Sequence, residues 1–248
     1  MSALLGEPLR IAMWSGPRNL STALMRSFGN RSDCTVVDEP LYAAYLSATG
    51  TDHPAREEII ASQSVDPNQV LRELTQGHVG TAVCYQKHMT HHLLPHFDRA
   101  PLRALTHAFL IREPERVLVS YAKVRTEPTV EDLGLPQQVE IFERFGGPVI
   151  DAADVLGDPR GTLTWLCGRL GLVFDEAMLS WPAGPSDTDG VWAPYWYAGV
   201  EASTGFVREA PGSHDPLPPR LQPLLEVCRR YYEALAPYRL RPPTRQEQ

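Results

Sequence analysis

The sequence predicts a three-layer α/β/α fold with a mostly parallel central sheet, organised as one domain over residues 1–248. Three observations carry that prediction. Short apolar runs alternate with stretches of helical period, the rhythm of βα units whose sheet is covered on both faces. Two strand-to-helix junctions, Gly16-Pro17-Arg18 and Arg112-Glu113-Pro114, carry residues suited to holding an anion, and open α/β sheets bind ligands at such strand ends. A chain of 248 residues with 43% hydrophobic content can bury one full core, and it shows no internal repeat.

Taken in order, Ile11-Ala12-Met13-Trp14 is the first apolar run and places a strand near 10–15. Gly16-Pro17 ends it, and Ser21 and Thr22 open a helix expected over 18–29. Val36 and Val37 mark a strand at 34–38 that closes on Asp38-Glu39-Pro40. Helices follow at 56–63 and 67–76, the second with Asp66-Pro67 as cap and first turn. Val83-Cys84-Tyr85 gives a strand at 81–86 that ends at Lys87-His88 and leads into a helical stretch. Phe109-Leu110-Ile111 gives the strand at 107–112, and Pro114 starts a helix over 114–125 with Val117, Leu118 and Tyr121 on one face. A helix at 130–145 precedes the strand at 148–151, and Asp158-Pro159 opens a helix at 159–170. Residues 181–220, rich in proline, glycine and aromatics, read as an irregular lid or acceptor loop. Leu221, Leu224, Leu225 and Cys228 share one face of a closing helix at 218–235, and 241–248 reads as a frayed tail.

The chemistry sits at the two junctions. A helix N-terminus leaves its first N–H groups unpaired and partly positive, so it holds phosphate or sulfate. Gly16 permits a close turn, Pro17 has no N–H to satisfy, Asn19 and Leu20 continue the loop, and Ser21 and Thr22 offer hydroxyl donors. Arg18 is placed to fork onto an anion. The second glycine and the lysine of a Walker A loop are both missing, which disfavours a Mg-ATP machine of the ordinary kind. Arg112 emerges at the next strand end, with Ser120 two helical turns on. Two such sites at neighbouring strands suit a nucleoside with phosphate at both ends.

These residues resemble the sulfotransferases that use 3′-phosphoadenosine-5′-phosphosulfate (PAPS). The family's 5′-phosphosulfate loop has a Pro-Lys pair and then a Ser/Thr pair opening a helix; here the run is Pro17-Arg18-Asn19-Leu20-Ser21-Thr22. Its 3′-phosphate motif pairs an arginine with a serine eight residues on, as in Arg112-Glu113-Pro114-Glu115-Arg116-Val117-Leu118-Val119-Ser120-Tyr121. Val149 to Pro159 is similar to a later strand and Asp-Pro turn, so the resemblance covers roughly residues 10–170. It implies a P-loop NTPase-like sulfotransferase fold and transfer of a sulfonate from PAPS to a hydroxyl or amine of a small-molecule acceptor. The product would be adenosine 3′,5′-bisphosphate, and no metal is needed. The family's loop lysine is Arg18 here, which keeps the charge but lends no proton. The family's histidine base follows a strand in a K-T-H-L-P run. The nearest match is Lys87-His88, one residue out of that spacing. His88 is the expected base, Lys87 the expected positive charge near the sulfonate, and His91 and His92 the alternatives. The family's R-K-G signature is absent, and Ser203-Thr204-Gly205-Phe206 is the late loop expected to border the nucleotide.

Other features admit plainer roles. His88, His92 and His96 repeat at helical spacing, but no H-E-x-x-H or cysteine pair accompanies them, so a metal site is not expected. Glu39 either lines the cleft, contacting the acceptor or the donor, or ends a surface turn. Trp192, Tyr195 and Trp196, in the densest aromatic block (Trp192 to Tyr197), either floor an acceptor pocket, stack on adenine or root a loop. The net charge of −7 argues against nucleic acid as a partner. Four cysteines without C-x-x-C spacing fit a reducing compartment. No apolar run reaches the roughly 18–20 residues of a membrane span and no signal pattern opens the chain, so a cytoplasmic enzyme with no membrane partner is expected. The acceptor's identity and the oligomeric state, a homodimer included, stay open. Two rival functions stay open beside the transferase: a kinase-like nucleotide-dependent enzyme, and a non-catalytic binder of adenosine bisphosphate.

Overall fold

A computed structural model describes residues 7–208 and 215–239. Five strands, β1 (Leu9–Ser15), β2 (Cys34–Asp38), β3 (Val83–Met89), β4 (Thr106–Ile111) and β5 (Val149–Asp151), form one sheet in the order β2-β3-β1-β4-β5. Every pairing in it is parallel. Register brings Ser15 opposite both Met89 and Leu110, and Asp38 opposite Lys87. The carboxyl ends of β2, β3, β1 and β4 therefore line up along one edge, which is where the site lies.

Helices α1 (Ser21–Gly29), α2 (Tyr42–Thr49), α3 (Arg56–Ser62) and α4 (Pro67–Gln76) precede β3. Next come α5 (Pro114–Tyr121), α6 (Val130–Leu133), α7 (Leu135–Phe145), α8 (Ala152–Gly157) and α9 (Pro159–Arg169). The chain closes with α10 (Ala193–Trp196), α11 (Ala198–Glu201) and α12 (Gln222–Leu235). β1 shows why both faces of the sheet must be covered, since Ile11 to Trp14 are all completely buried. Ile11 and Met13 pack with Leu24, Met25 and Phe28 of α1 and Leu163 and Leu166 of α9. Ala12 and Trp14, on the opposite face, pack with Leu71 and Leu74 of α4, Ile141 of α7 and Leu235 of α12. Adjacent residues facing opposite cores is what a strand's period of two requires.

The expected strands and most of the expected helices are present, with three informative differences. β3 runs on to Met89, so Lys87 and His88 lie inside the strand and not beyond it. The helix expected at 130–145 breaks at Gly134, which has φ +64 and separates α6 from α7. A side chain there would also collide with Thr90 and His91, so the break fixes the approach of α7 to the turn after β3. α2 was not expected: Tyr42, Ala43, Ala44 and Leu46 are all buried, so no polar face gives it a helical period. The segment at 181–220 contains α10 and α11, while residues 209–214 and the tail at 241–248 lie outside the described residues. Among the described residues no helix is long and apolar enough to cross a membrane.

Candidate active site

The first loop leaves β1 at Ser15 and is held in an unusual conformation. Arg18 and Leu20 have φ of +60 and +70, a left-handed geometry costing non-glycine residues about 1–3 kcal/mol each. The surroundings hold it there. Gln138 Nε2 donates to both Trp14 O and Leu110 O at 3.0 Å, Thr90 Oγ1 to Ser15 O at 3.2 Å, and Asn19 Nδ2 to Leu110 O at 3.4 Å. Gly16 is needed for space, because a Cβ there would stand 2.6 Å from Leu133 O. The close turn expected at Gly16 thus serves an approach to α6. The helix begins at Ser21, three residues later than expected, and its cap residue Leu20 makes no side-chain hydrogen bond. The first N–H groups of α1 thus receive no side-chain cap, and Pro17 to Ala23 line an open cleft of about 680 Å³.

The second segment meets the first. Arg112 leaves β4, α5 starts at Pro114, and the Glu113 side chain caps it at Arg116 N, 3.2 Å away. Arg112 Nη1 donates to Arg18 O at 2.8 Å, and Arg18 Nε donates to Ser120 Oγ at 2.9 Å across 102 residues of sequence. Arg18, Arg112 and Ser120 all line the cleft. Burial and the neighbouring Arg112 charge hold the Arg18 guanidinium below the usual arginine value, a repulsion that a bound anion would relieve.

The carboxyl ends of β2 and β3 build the other half. Lys87 Nζ donates to Asp38 Oδ1 at 2.9 Å, Glu39 Oε1 at 2.6 Å and the Tyr197 hydroxyl at 2.5 Å. The Tyr197 hydroxyl donates to Asp38 Oδ2 at 2.7 Å and accepts from Trp192 Nε1 at 2.9 Å. Lys87, expected to supply positive charge near a sulfonate, is 1% exposed and spends its three hydrogens on these partners. Desolvation works against its charge, but the two carboxylates outweigh it and raise its pKa. Glu39, itself at φ +39, is raised chiefly by burial, with Lys87 opposing. Its second oxygen stands 4.0 Å from His92 Nδ1.

His88 is not brought into the cleft. Because β3 continues through it, its side chain faces away from that of Lys87. It stacks on Trp14 with ring centroids 4.3 Å apart and pairs through Nε2 with Gln86 Oε1 at 3.1 Å. Burial pushes its pKa down to about 3. The histidines that line the cleft are His53, His91 and His92. His92 stacks on Tyr42 and Tyr45, and burial holds it neutral, well below the usual imidazole value. Burial likewise pushes His91 down to about 3. His92 lies in the 3₁₀ turn after β3 (Thr90–His92), so the helical spacing of His88, His92 and His96 disappears. Among the described residues no group of three or more His, Cys, Asp or Glu is arranged to hold a metal ion.

The aromatic block divides. Trp196 lines the cleft, Trp192 is 1% exposed in the core beneath it, and Tyr195 points outward at 53% exposure. Tyr197, Tyr42 and His53 also line the cleft, with the Tyr42 hydroxyl 2.5 Å from His53 Nδ1. Of these, only Tyr197 had a sequence signal, as part of the aromatic block. Ser203 to Val207 border the cleft as well, while Met13 and Trp14 are completely buried.

Comparison with known proteins bears on the family and the fold. By sequence the chain is similar to two Arabidopsis thaliana proteins, branched-chain-amino-acid aminotransferase-like protein 1 (40% identical over 236 residues) and protein 2 (37% over 231). Each match covers 91% of this chain but only 42% and 41% of those proteins, so the chain spans about two fifths of their length. In fold it is similar to a sulfotransferase from Alicyclobacillus acidocaldarius, with TM-score 0.56 and 13% identity over 95% of this chain and 98% of that one. It is also similar to a sulfotransferase domain from the curacin biosynthetic pathway, with TM-score 0.54 and 17% identity over 94% and 99% of the two chains. The Sulfotransferase domain family matches residues 9–238, nearly the whole described chain, and the protein belongs to that family.

Proposed function

We propose that the protein transfers a sulfonate from 3′-phosphoadenosine-5′-phosphosulfate to a hydroxyl or amine of a small-molecule acceptor. The observation that carries this reading is the meeting of Arg18, Arg112 and Ser120 beside an N-terminus of α1 that no side chain caps. Two cation-bearing segments joined in one cleft match a donor with phosphate at both ends of its nucleoside. The cleft's volume of about 680 Å³ also lies within the usual range for such ligands.

When bound, that donor supplies an activated sulfonate and leaves as adenosine 3′,5′-bisphosphate. Arg18 and the first N–H groups of α1 hold its 5′ end and offset negative charge there. Arg112 and Ser120 hold its 3′-phosphate. Glu39 Oε2 takes the acceptor's proton, and the neutral His92 opposite it orients the acceptor by a hydrogen bond. This assignment follows from the pKa directions: burial weakens His91 and His92 as bases, while it strengthens Glu39. Lys87 fixes Glu39 through its other oxygen.

The test is donor turnover with a panel of acceptors, read as bisphosphate release. Glu39→Gln and His92→Ala should each lower turnover, Glu39→Gln by about 10²–10⁴-fold, with bisphosphate affinity unchanged. Full turnover in Glu39→Gln would remove Glu39 from the chemistry, and activity that required Mg-ATP would replace the reading with a kinase-like one.

A further inference from the structure

We infer that the acceptor end of this cleft selects uncharged or cationic aromatic alcohols and amines, and rejects acceptors that carry a carboxylate or phosphate. The inference rests on the sulfotransferase reading for what an acceptor is, but its evidence is the distribution of charge. The cleft is sorted along the sheet edge. The carboxyl ends of β1 and β4 carry Arg18, Arg112 and the N-terminus of α1. The carboxyl ends of β2 and β3 carry Asp38, Glu39 and Lys87, two carboxylates against one ammonium. All three hydrogens of that ammonium are engaged, so an anionic acceptor finds no donor on it.

The neighbouring elements do not reverse the sign. α2 presents Tyr42, the segment before α3 presents His53 with Asp52 exposed beside it, and the turn after β3 presents His91 and His92. Burial keeps these three imidazoles on the neutral side. α10 and the residue after it present Trp196 and Tyr197, the end of α5 presents Tyr121, and the turn after it presents Val124. Arg125, just past α5, is paired with Asp132 at 3.2 Å and does not line the cleft. Among the described residues, then, the lining cations are Lys87, already engaged, and the two arginines of the donor half. An anion at the acceptor end would give up hydration to face a net negative site. A cation or a neutral group would meet the faces of Trp196, Tyr42 and Tyr197. Among the described residues, four buried polar atoms on lining residues have no hydrogen-bond partner: Asn19 Oδ1 in the donor half, and Trp196 Nε1, His91 Nδ1 and His92 Nδ1 at the acceptor end. The latter three are neutral hydrogen-bonding groups suited to a hydroxyl or amine.

The experiment uses three phenols of one skeleton: tyramine (cationic), 4-(2-hydroxyethyl)phenol (neutral) and 4-hydroxyphenylacetate (anionic). Binding is followed by tryptophan fluorescence and calorimetry, with the full chain alone and with adenosine 3′,5′-bisphosphate present. The expected result is that tyramine and the neutral phenol bind at least tenfold more tightly than the anion, and that Asp38→Asn narrows the gap. Equal or tighter binding of the anion overturns the inference, as does no binding by any of the three. Should Asp38→Asn fail to fold, the wild-type ranking still decides. Failure of the bisphosphate to bind counts against the donor reading alone, because the ranking is also read without it.

Discussion

Lys87→Met is the perturbation whose consequence follows most fully from the structure. Lys87 is 1% exposed and bridges Asp38 and Glu39, both almost as deeply buried. Removing the ammonium leaves two carboxylates together without a counter-charge, and breaking a buried pair in this way costs about 3–5 kcal/mol. For a protein of this size, at about 2–4 °C per kcal/mol, the melting temperature should fall by about 6–20 °C. The pH dependence gives a second check. Glu39 already has a folded pKa above its ordinary value even with Lys87 present, and the substitution raises it further. A carboxyl whose folded pKa exceeds its unfolded value, about 4.3, binds its proton preferentially in the native state. The variant's deficit relative to wild type should therefore shrink as pH falls from 7 towards 5. Differential scanning fluorimetry across that range measures both quantities. A melting temperature within about 2 °C of wild type, or a deficit that grows on acidification, would refute the reasoning.

Arg112→Ala should weaken adenosine 3′,5′-bisphosphate binding by about 10- to 100-fold, as expected for a lost charge-assisted hydrogen bond of about 1.5–3 kcal/mol; unchanged affinity by calorimetry would remove it from the site. His88→Ala should cost about 2–4 kcal/mol of stability by opening a cavity against Trp14, yet leave kcat of the folded enzyme within about threefold of wild type, an estimate based on its lack of contact with the cleft. A selective collapse of kcat would restore His88 as the base. His88 and His91 have folded pKa values near 3, below their unfolded value of about 6.5. Their stabilising contribution is complete above that unfolded value and is lost as pH falls through the interval towards 3. Denaturant midpoints that stay flat between pH 7 and 4 would contradict this.

The sheet and the meeting of the Arg18 and Arg112 segments were legible because their signals are local. An apolar run followed by Gly-Pro and hydroxyls, and an arginine at a strand end with a serine two turns on, place the same groups in any fold of this plan. The half of the cleft around Lys87 was not legible, because it depends on where β3 stops. Reading that strand as ending at Gln86 puts His88 at the cleft, whereas its continuation to Met89 turns His88 into the core and Lys87 into the network with Asp38 and Glu39. Lys87 and Asp38 are paired in register across β2 and β3, a relation no sequence spacing reveals. Tyr42 and His53 gave no signal either. α2 is apolar on nearly every side, and His53 reaches the cleft only through the loop after it. Tyr195 and Trp196 are adjacent in sequence, and the short α10 decides which of them faces outward.

The central claim is that the segments around Arg18 and Arg112 form one site for a ligand with two phosphates. Calorimetric titration of the full chain with adenosine 3′,5′-bisphosphate, beside adenosine 5′-monophosphate and Mg-ATP, tests it most directly. The account predicts that the bisphosphate binds at least about tenfold more tightly than the monophosphate, equivalent to about 1.4 kcal/mol, and does so without magnesium. Equal affinity for the two, or binding only of Mg-ATP, would contradict it.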